Sequence, residues 1–369
     1  MLLYSVLLVI YIGLSFFCPN PKSKTKRFIY TVLLLLPALF LVAFRSVKVG
    51  ADTYPYCYTY ERISSSGSIL EALEGSYMEI GYNFLEFIFG FLGFSYYAFQ
   101  SLIALFYLIS FSIFFFKYSS NVALSCFLLL TMQGLFGMMN QTRMWLAISI
   151  LLFSFSHLVN RKFLPFLLTL ALASLIHTSA LVFILVYPLS YIYSKNKNAT
   201  TFFLLVLGAI IALFGQSFFS LLFSIIGRYS SYSDAENYGI NLASLMFLTE
   251  YFVIFIFVIH RSKKLSLLQC GSVTILRRFK LTKNAFEVIA LLALVVSLAG
   301  ISNTFITRVV GFFGVYLYVA YANCMATYSI KNKITLPLIA TTILLTAQMY
   351  AILIFRPNWD GVVPYEFFF

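Results

Sequence analysis

The chain has 369 residues, of which 61% are hydrophobic, 19% aromatic and only 10% charged, with a mean hydropathy of +0.93. These values exclude a soluble globular domain and describe an all-α polytopic membrane protein. A formal charge of +13 invites a nucleic-acid reading, but in so apolar a chain a basic excess is first a property of cytoplasmic loops.

Apolar runs long enough, or nearly long enough, to span a bilayer lie at about 2–18, 28–44, 97–116, 121–138, 144–158 and 163–176. A second set follows at about 178–194, 200–226, 243–259, 285–304, 309–328 and 334–354. The pattern predicts about 12 transmembrane helices in one integral membrane domain over 1–369, with an outside loop at 45–78 and a basic cytoplasmic loop at 260–284. No basic region precedes residues 2–17 and no small-residue cleavage site follows them, so they read as a retained first span.

The run 79–95 differs from the spans, because Glu79, Asn83 and Glu86 recur at i, i+4 and i+7 opposite Phe, Leu and Ile. That spacing predicts an interfacial or re-entrant helix with its polar edge toward a site.

With the N-terminus outside, 18 of the 25 basic residues fall in inside loops, a positive-inside pattern. The seven outside are Arg45, Lys48, Arg62, Arg143, Arg228, Arg308 and Arg356, alongside ten of the twelve acids. The net basic balance is thus a property of the cytoplasmic loops, and a nucleic-acid partner loses its support. At His177-Thr178-Ser179 two short spans meet almost without a loop, and Thr178 or Ser179 suits a helix cap there.

The outer face is rich in arginine, whose fork of donors suits diphosphate oxygens. Arg143, in Asn140-Gln141-Thr142-Arg143, and Arg308, after Asn303, are held between tight spans, whereas Arg62, Arg228 and Arg356 are equally placed to snorkel to headgroups. For Glu250, within an apolar run, two readings stand: it lines a cavity or pairs with a facing arginine. Gly50 and Gly81 read as turn formers. Five scattered cysteines show no paired spacing, and no HExxH, DxD or Gly-rich nucleotide loop occurs, so neither a metal nor a nucleotide cofactor is expected.

The segments RSVKVGADTYPY, MEIGYNFLE, NQTRMWLAISI, ALASLIHTSALV and FRPNWDGVVPYEFF follow one another in an order that resembles the EpsG-like, Wzy-type polysaccharide polymerases, from about residue 28 to the C-terminus. The resemblance implies an inner-membrane enzyme that joins oligosaccharide repeat units carried on undecaprenyl diphosphate into capsule, exopolysaccharide or O-antigen on the outer face. A chain-length regulator and a flippase are the partners it implies. It assigns roles to Arg45, Asp52, Glu79, Tyr82, Arg143, His177, Asp360, Pro364 and Tyr365.

In this reading Arg45, Arg143 and Arg308 meet the charge that grows on the leaving diphosphate, and Tyr56, Tyr82, Asp360 and Tyr365 contact sugar or diphosphate. Asp52, Glu79 and His177 are the candidate bases, with their order left open. A flippase for the same lipid-linked sugar and a membrane O-acyltransferase are the alternatives. The flippase requires ionisable groups near the midplane, and the acyltransferase a catalytic histidine, for which only His177 serves.

Overall fold

A computed structural model describes residues 1–18, 20–74, 76–226, 242–265, 273–302, 304–326 and 336–369. In order the helices are α1 (Leu2–Phe17), α2 (Lys24–Ala43), α3 (Thr53–Ser64), α4 (Ile69–Leu73), α5 (Ile80–Phe91) and α6 (Tyr96–Tyr118). Next come α7 (Val122–Thr131), α8 (Gly134–Asn140), α9 (Thr142–Val159) and α10 (Phe163–Ile176), then a 3-10 turn at Thr178–Leu185. The remainder are α11 (Val186–Lys195), α12 (Lys197–Ile226), α13 (Leu242–Leu265), α14 (Val273–Ala299), α15 (Thr304–Val309), α16 (Gly311–Ala326), α17 (Leu336–Phe355) and α18 (Pro357–Asp360).

The fold is all-α, and all twelve predicted apolar runs are helical in whole or in part. Among the described residues, seven helices are long and apolar enough to cross a membrane, or eight if the bent pair α7–α8 forms one span. Helices α1, α5 and α10 are shorter apolar helices. The expected count of twelve spans is not reached among the described residues. The run 178–194 shows why, since it begins as a 3-10 turn and continues as a ten-residue helix. The α7–α8 pair bends by 56° where Gln133 adopts a left-handed φ of 63°.

Two stretches expected as loops are largely helical. The outside loop 45–78 holds α3 and α4, and α13 and α14 extend into the basic stretch 260–284, of which 266–272 lies outside the described residues. Arg228, Asp234, Glu236, Lys331 and Lys333 also lie outside them.

Packing divides the chain into two compact units, a division that the expectation of one domain did not include. The first comprises Met1–His157, Leu164–Leu181 and Tyr328–Phe369, and the second Leu158–Phe163 and Val182–Thr327. In the second unit α14 is central, packed on α11, α12, α13 and α16. Its buried Glu287 joins α12 through Lys197 Nζ at 2.5 Å.

The first unit has two chemically distinct ends. At the basic end Lys22, Lys24, Lys26 and Lys117 are exposed, the Arg27 guanidinium donates to Ser119 O, and Asn121 Nδ2 donates to Ser15 O at 3.0 Å. Short polar side chains start helices by accepting from the first-turn amides: Ser68 for α4, Ser95 for α6 and Asn121 for α7. The opposite end gathers α3, α5, the α8–α9 turn, the end of α10 and the C-terminal tail. Helix α5 has 12 residues, about 18 Å of rise against a hydrocarbon core of about 30 Å, so it does not span.

Candidate functional site

Helix α9, whose apolar window is 72% buried, begins one residue after α8, and the close approach of Trp145 to Gly137 keeps this hairpin tight. That turn places Arg143 in the first turn of α9, at the end of the unit opposite the basic residues. Its position is fixed from behind: Arg45 Nη2 donates to Thr142 Oγ1 at 3.3 Å and Tyr107 Oη donates to Thr142 O at 2.9 Å.

Glu79, at the N-cap of α5, bridges two elements with its two oxygens. Oε2 accepts from Arg143 Nη1 at 2.6 Å. Oε1 accepts from the Thr178 amide at 3.1 Å and from Thr178 Oγ1 at 3.3 Å, and lies 3.3 Å from His177 Nδ1. Burial alone would raise the Glu79 pKa, but the bond to His177, the Arg143 charge and the Thr178 amide outweigh it and hold the group at about 2. Glu79 is thus a permanent carboxylate and a weak base. Gly81 makes the bridge possible, since a Cβ there would lie 2.6 Å from Leu175 O, and α5 could not approach the end of α10. Gly81 is therefore helical and serves close packing, where a turn was expected.

Arg143 is 16% exposed and His177 21%. The remaining Arg143 contacts are aromatic. Nε donates to Tyr56 Oη at 3.5 Å, and the guanidinium carbon lies 5.6 Å from the Tyr56 ring centre and 5.9 Å from that of Tyr77. Tyr82 is buried behind Tyr56, with ring centres 5.9 Å apart.

The sequence pattern of the EpsG family matches residues 28–367, nearly the whole chain. The chain belongs to the EpsG family. No curated protein and no solved structure matches it. Long apolar helices together with this membership make it a multi-pass membrane protein.

In this EpsG-family protein Arg45, Asp52, Asp360 and Tyr365 lie in the same unit as the Arg143–Glu79–His177 cluster. Arg45 is only 1% exposed and donates to Val42 O at 2.5 Å as well as to Thr142, so it faces inward and holds the turn that carries Arg143. Asp52 stands at the N-cap position of α3, partly buried and without a side-chain capping bond, and its amide donates to Asn140 Oδ1 at 2.8 Å. Asn140 Nδ2 in turn donates to Asp360 Oδ1 at 3.3 Å and to Trp359 O at 3.5 Å. Tyr365 Oη donates to Leu41 O at 2.8 Å.

The C-terminal tail is bound along the segment 44–51. Phe368 N donates to Phe44 O, Ser46 N to Glu366 O, Gly50 N to Gly361 O and Ala51 N to Asp360 O, with Arg45 and Phe367 forming an antiparallel bridge. Gly50, at φ +98°, lies against Met139 O, where no other residue fits. Arg308 sits exposed on α15 in the second unit and is described there alone.

Sequence reasoning missed Asn140 and Thr178 as hubs and Tyr77 as an aromatic partner. It also read α3 as loop. The pattern Tyr56, Thr59, Tyr60 and Ile63, all buried, has helical i, i+3, i+4, i+7 spacing once tyrosine is counted with the apolar residues. Among the described residues no three His, Cys, Asp or Glu side chains cluster as a metal site requires.

Proposed function

We propose that this EpsG-family protein polymerises undecaprenyl-diphosphate-linked oligosaccharide repeat units into a surface polysaccharide, at the outer face of the cytoplasmic membrane. The observation that supports this reading most is the Arg143 guanidinium. One nitrogen is pinned by Glu79 and another rests on Tyr56, while Nη2 has no hydrogen bond to the described residues, in a partly open position. A fork fixed in this way offers its free edge to phosphate oxygens without first having to be ordered. The positive end of the α9 dipole adds to the same field.

His177 acts as the base. Nδ1 lies 3.3 Å from Glu79 Oε1, and a ring that keeps its proton on that side offers the lone pair of Nε2 to the acceptor. The hydroxyl oxygen of the acceptor sugar attacks the anomeric carbon of the donor, and its proton passes to Nε2. The bond from that carbon to the diphosphate oxygen breaks, and the lipid diphosphate leaves with the electron pair against Arg143. Glu79 orients both partners, the buried Tyr56 backs Arg143, and the exposed Tyr77 offers a ring face to sugar. Asp52, Asp360, Tyr82, Tyr365 and Arg45 position the site from behind.

The test is reconstitution in vesicles with lipid-diphosphate-linked repeat units. A ladder of products on gels supports the proposal. Movement of the intact lipid-linked unit between leaflets without bond formation overturns it in favour of transport.

A further inference from the structure

Glu86 lies on the face of α5 that carries Glu79, two turns further along, and is fully buried. Oε1 accepts from Thr59 Oγ1 at 3.5 Å, and Oε2 is buried without a hydrogen-bond partner. The groups that act on it come from every neighbouring element: Thr59, Tyr60 and Arg62 on α3, Tyr77 before α5, Tyr82 on α5 itself, Tyr96 on α6 and Arg143 on α9. Only the two arginines are charged, and Arg143 is already paired with Glu79.

An ionised carboxylate with one bare oxygen in such a place is strongly disfavoured, whereas a neutral acid leaves only weakly polar atoms unpaired. Burial pushes the Glu86 pKa up to about 8, although Arg143, the Thr59 hydroxyl and Arg62 pull the other way. The arithmetic of charge then matters for Arg143. An ionised Glu86 adds one more negative charge to the surroundings of Arg143, which already include Glu79 and the Asp52 that acts on Tyr56 and Tyr77, and so weakens its attraction for a dianion, an effect that low dielectric strengthens.

We propose that Glu86 works as an uncharged carboxylic acid, a positioning residue that spares Arg143 a further buried countercharge beside Glu79 and so keeps its free donor edge available to a diphosphate. This role rests on the polymerase reading above. Glu86 itself does not meet substrate.

The experiment uses the full-length protein in nanodiscs with geranyl diphosphate as the probe. Its affinity is measured from about pH 7 to about pH 9.5, spanning the Glu86 range, for wild type, Glu86→Gln and Glu86→Met. Wild-type binding is expected to weaken roughly tenfold over that interval, and both neutral variants to bind as wild type does at the lower pH and hold their affinity at the higher. Infrared difference spectra of wild type against Glu86→Gln are expected to contain a protonated-carboxyl band that disappears over the same interval. A wild type without pH dependence, neutral variants that decline in parallel with it, or absence of the band each overturns the role of Glu86 alone. No binding of geranyl diphosphate by wild type at any pH overturns the diphosphate reading itself and this role with it.

Discussion

The 2.6 Å contact between Glu79 Oε2 and Arg143 Nη1 joins the N-cap of a helix too short to span the membrane to the first turn of a buried spanning helix. A fork held in this way has a direct mutational consequence. Arg143→Lys keeps the charge but cannot occupy Glu79, Tyr56 and a phosphate oxygen together. Loss of a charged hydrogen bond, about 1.5–3 kcal/mol, lowers activity roughly 10- to 150-fold, and Arg143→Ala lowers it further. Polymer length on gels at matched protein level checks this, and full-length polymer from the lysine variant would remove Arg143 from the site.

Glu79→Gln removes the anchor of both Arg143 and His177, and misplacement of both is expected to cost on the order of 10²-fold in activity. The pH dependence has a definite sign. Because the folded-state pKa is depressed to about 2, the carboxylate stabilises the fold fully above its unfolded pKa near 4.3, and that contribution is lost as pH falls through about 2. The difference in melting temperature between wild type and Glu79→Gln should therefore be constant at neutral pH and vanish toward the acid limit. A gap that persisted at the lowest pH would refute the ion pair as its source.

Gly81→Val places methyl groups where Leu175 O now sits. Overpacking of this kind costs about 1–3 kcal/mol, and here it also lifts Glu79 away from Thr178 and His177. Activity should fall more than thermal stability does, whereas equal losses would mean that the helix contact is structural only.

Deletion of 361–369 removes the backbone partners of Ser46, Gly50 and Phe44. Membrane insertion should be normal while activity is lost, and protease cleavage within 45–52 should become faster than in the full chain. Unchanged cleavage would show that the tail is not what orders this segment.

A cysteine at Ser66, in the turn after α3, and one at Ser120, in the turn at the basic end, test the assignment of faces in the first unit. In a background lacking Cys57 and the other native cysteines, an impermeant thiol reagent on intact cells should label the first and spare the second. Reaction of the second alone would invert the assignment of faces.

Hydropathy placed the helices, and the spacing of Glu79, Asn83 and Glu86 foretold which face of α5 turns inward. Motif order brought Glu79, Arg143 and His177 forward, and these three do meet. Arg45 shows the limit: leaving an apolar run marks a charge at the interface, yet whether it turns outward or back onto Val42 O and Thr142 depends on partners 97 residues away. The protonation of Glu86 was equally hidden, because burial by α3 and α6 decides it. Twelve spans were counted because composition alone does not register a 3-10 turn at 178–185 or a left-handed Gln133 within an apolar run.

The bound tail also sets an order of events during biosynthesis. Arg45, Glu79, Arg143 and His177 emerge from the ribosome well before residues 360–368, which complete the hydrogen bonding of the segment 44–51. Until those last residues arrive, Ser46, Gly50 and Ala51 keep open amides and Asn140 lacks its Asp360 partner. A nascent chain therefore holds the segment 44–51 half-bonded through most of its insertion, and the ordering of that segment waits on the emergence of 360–368.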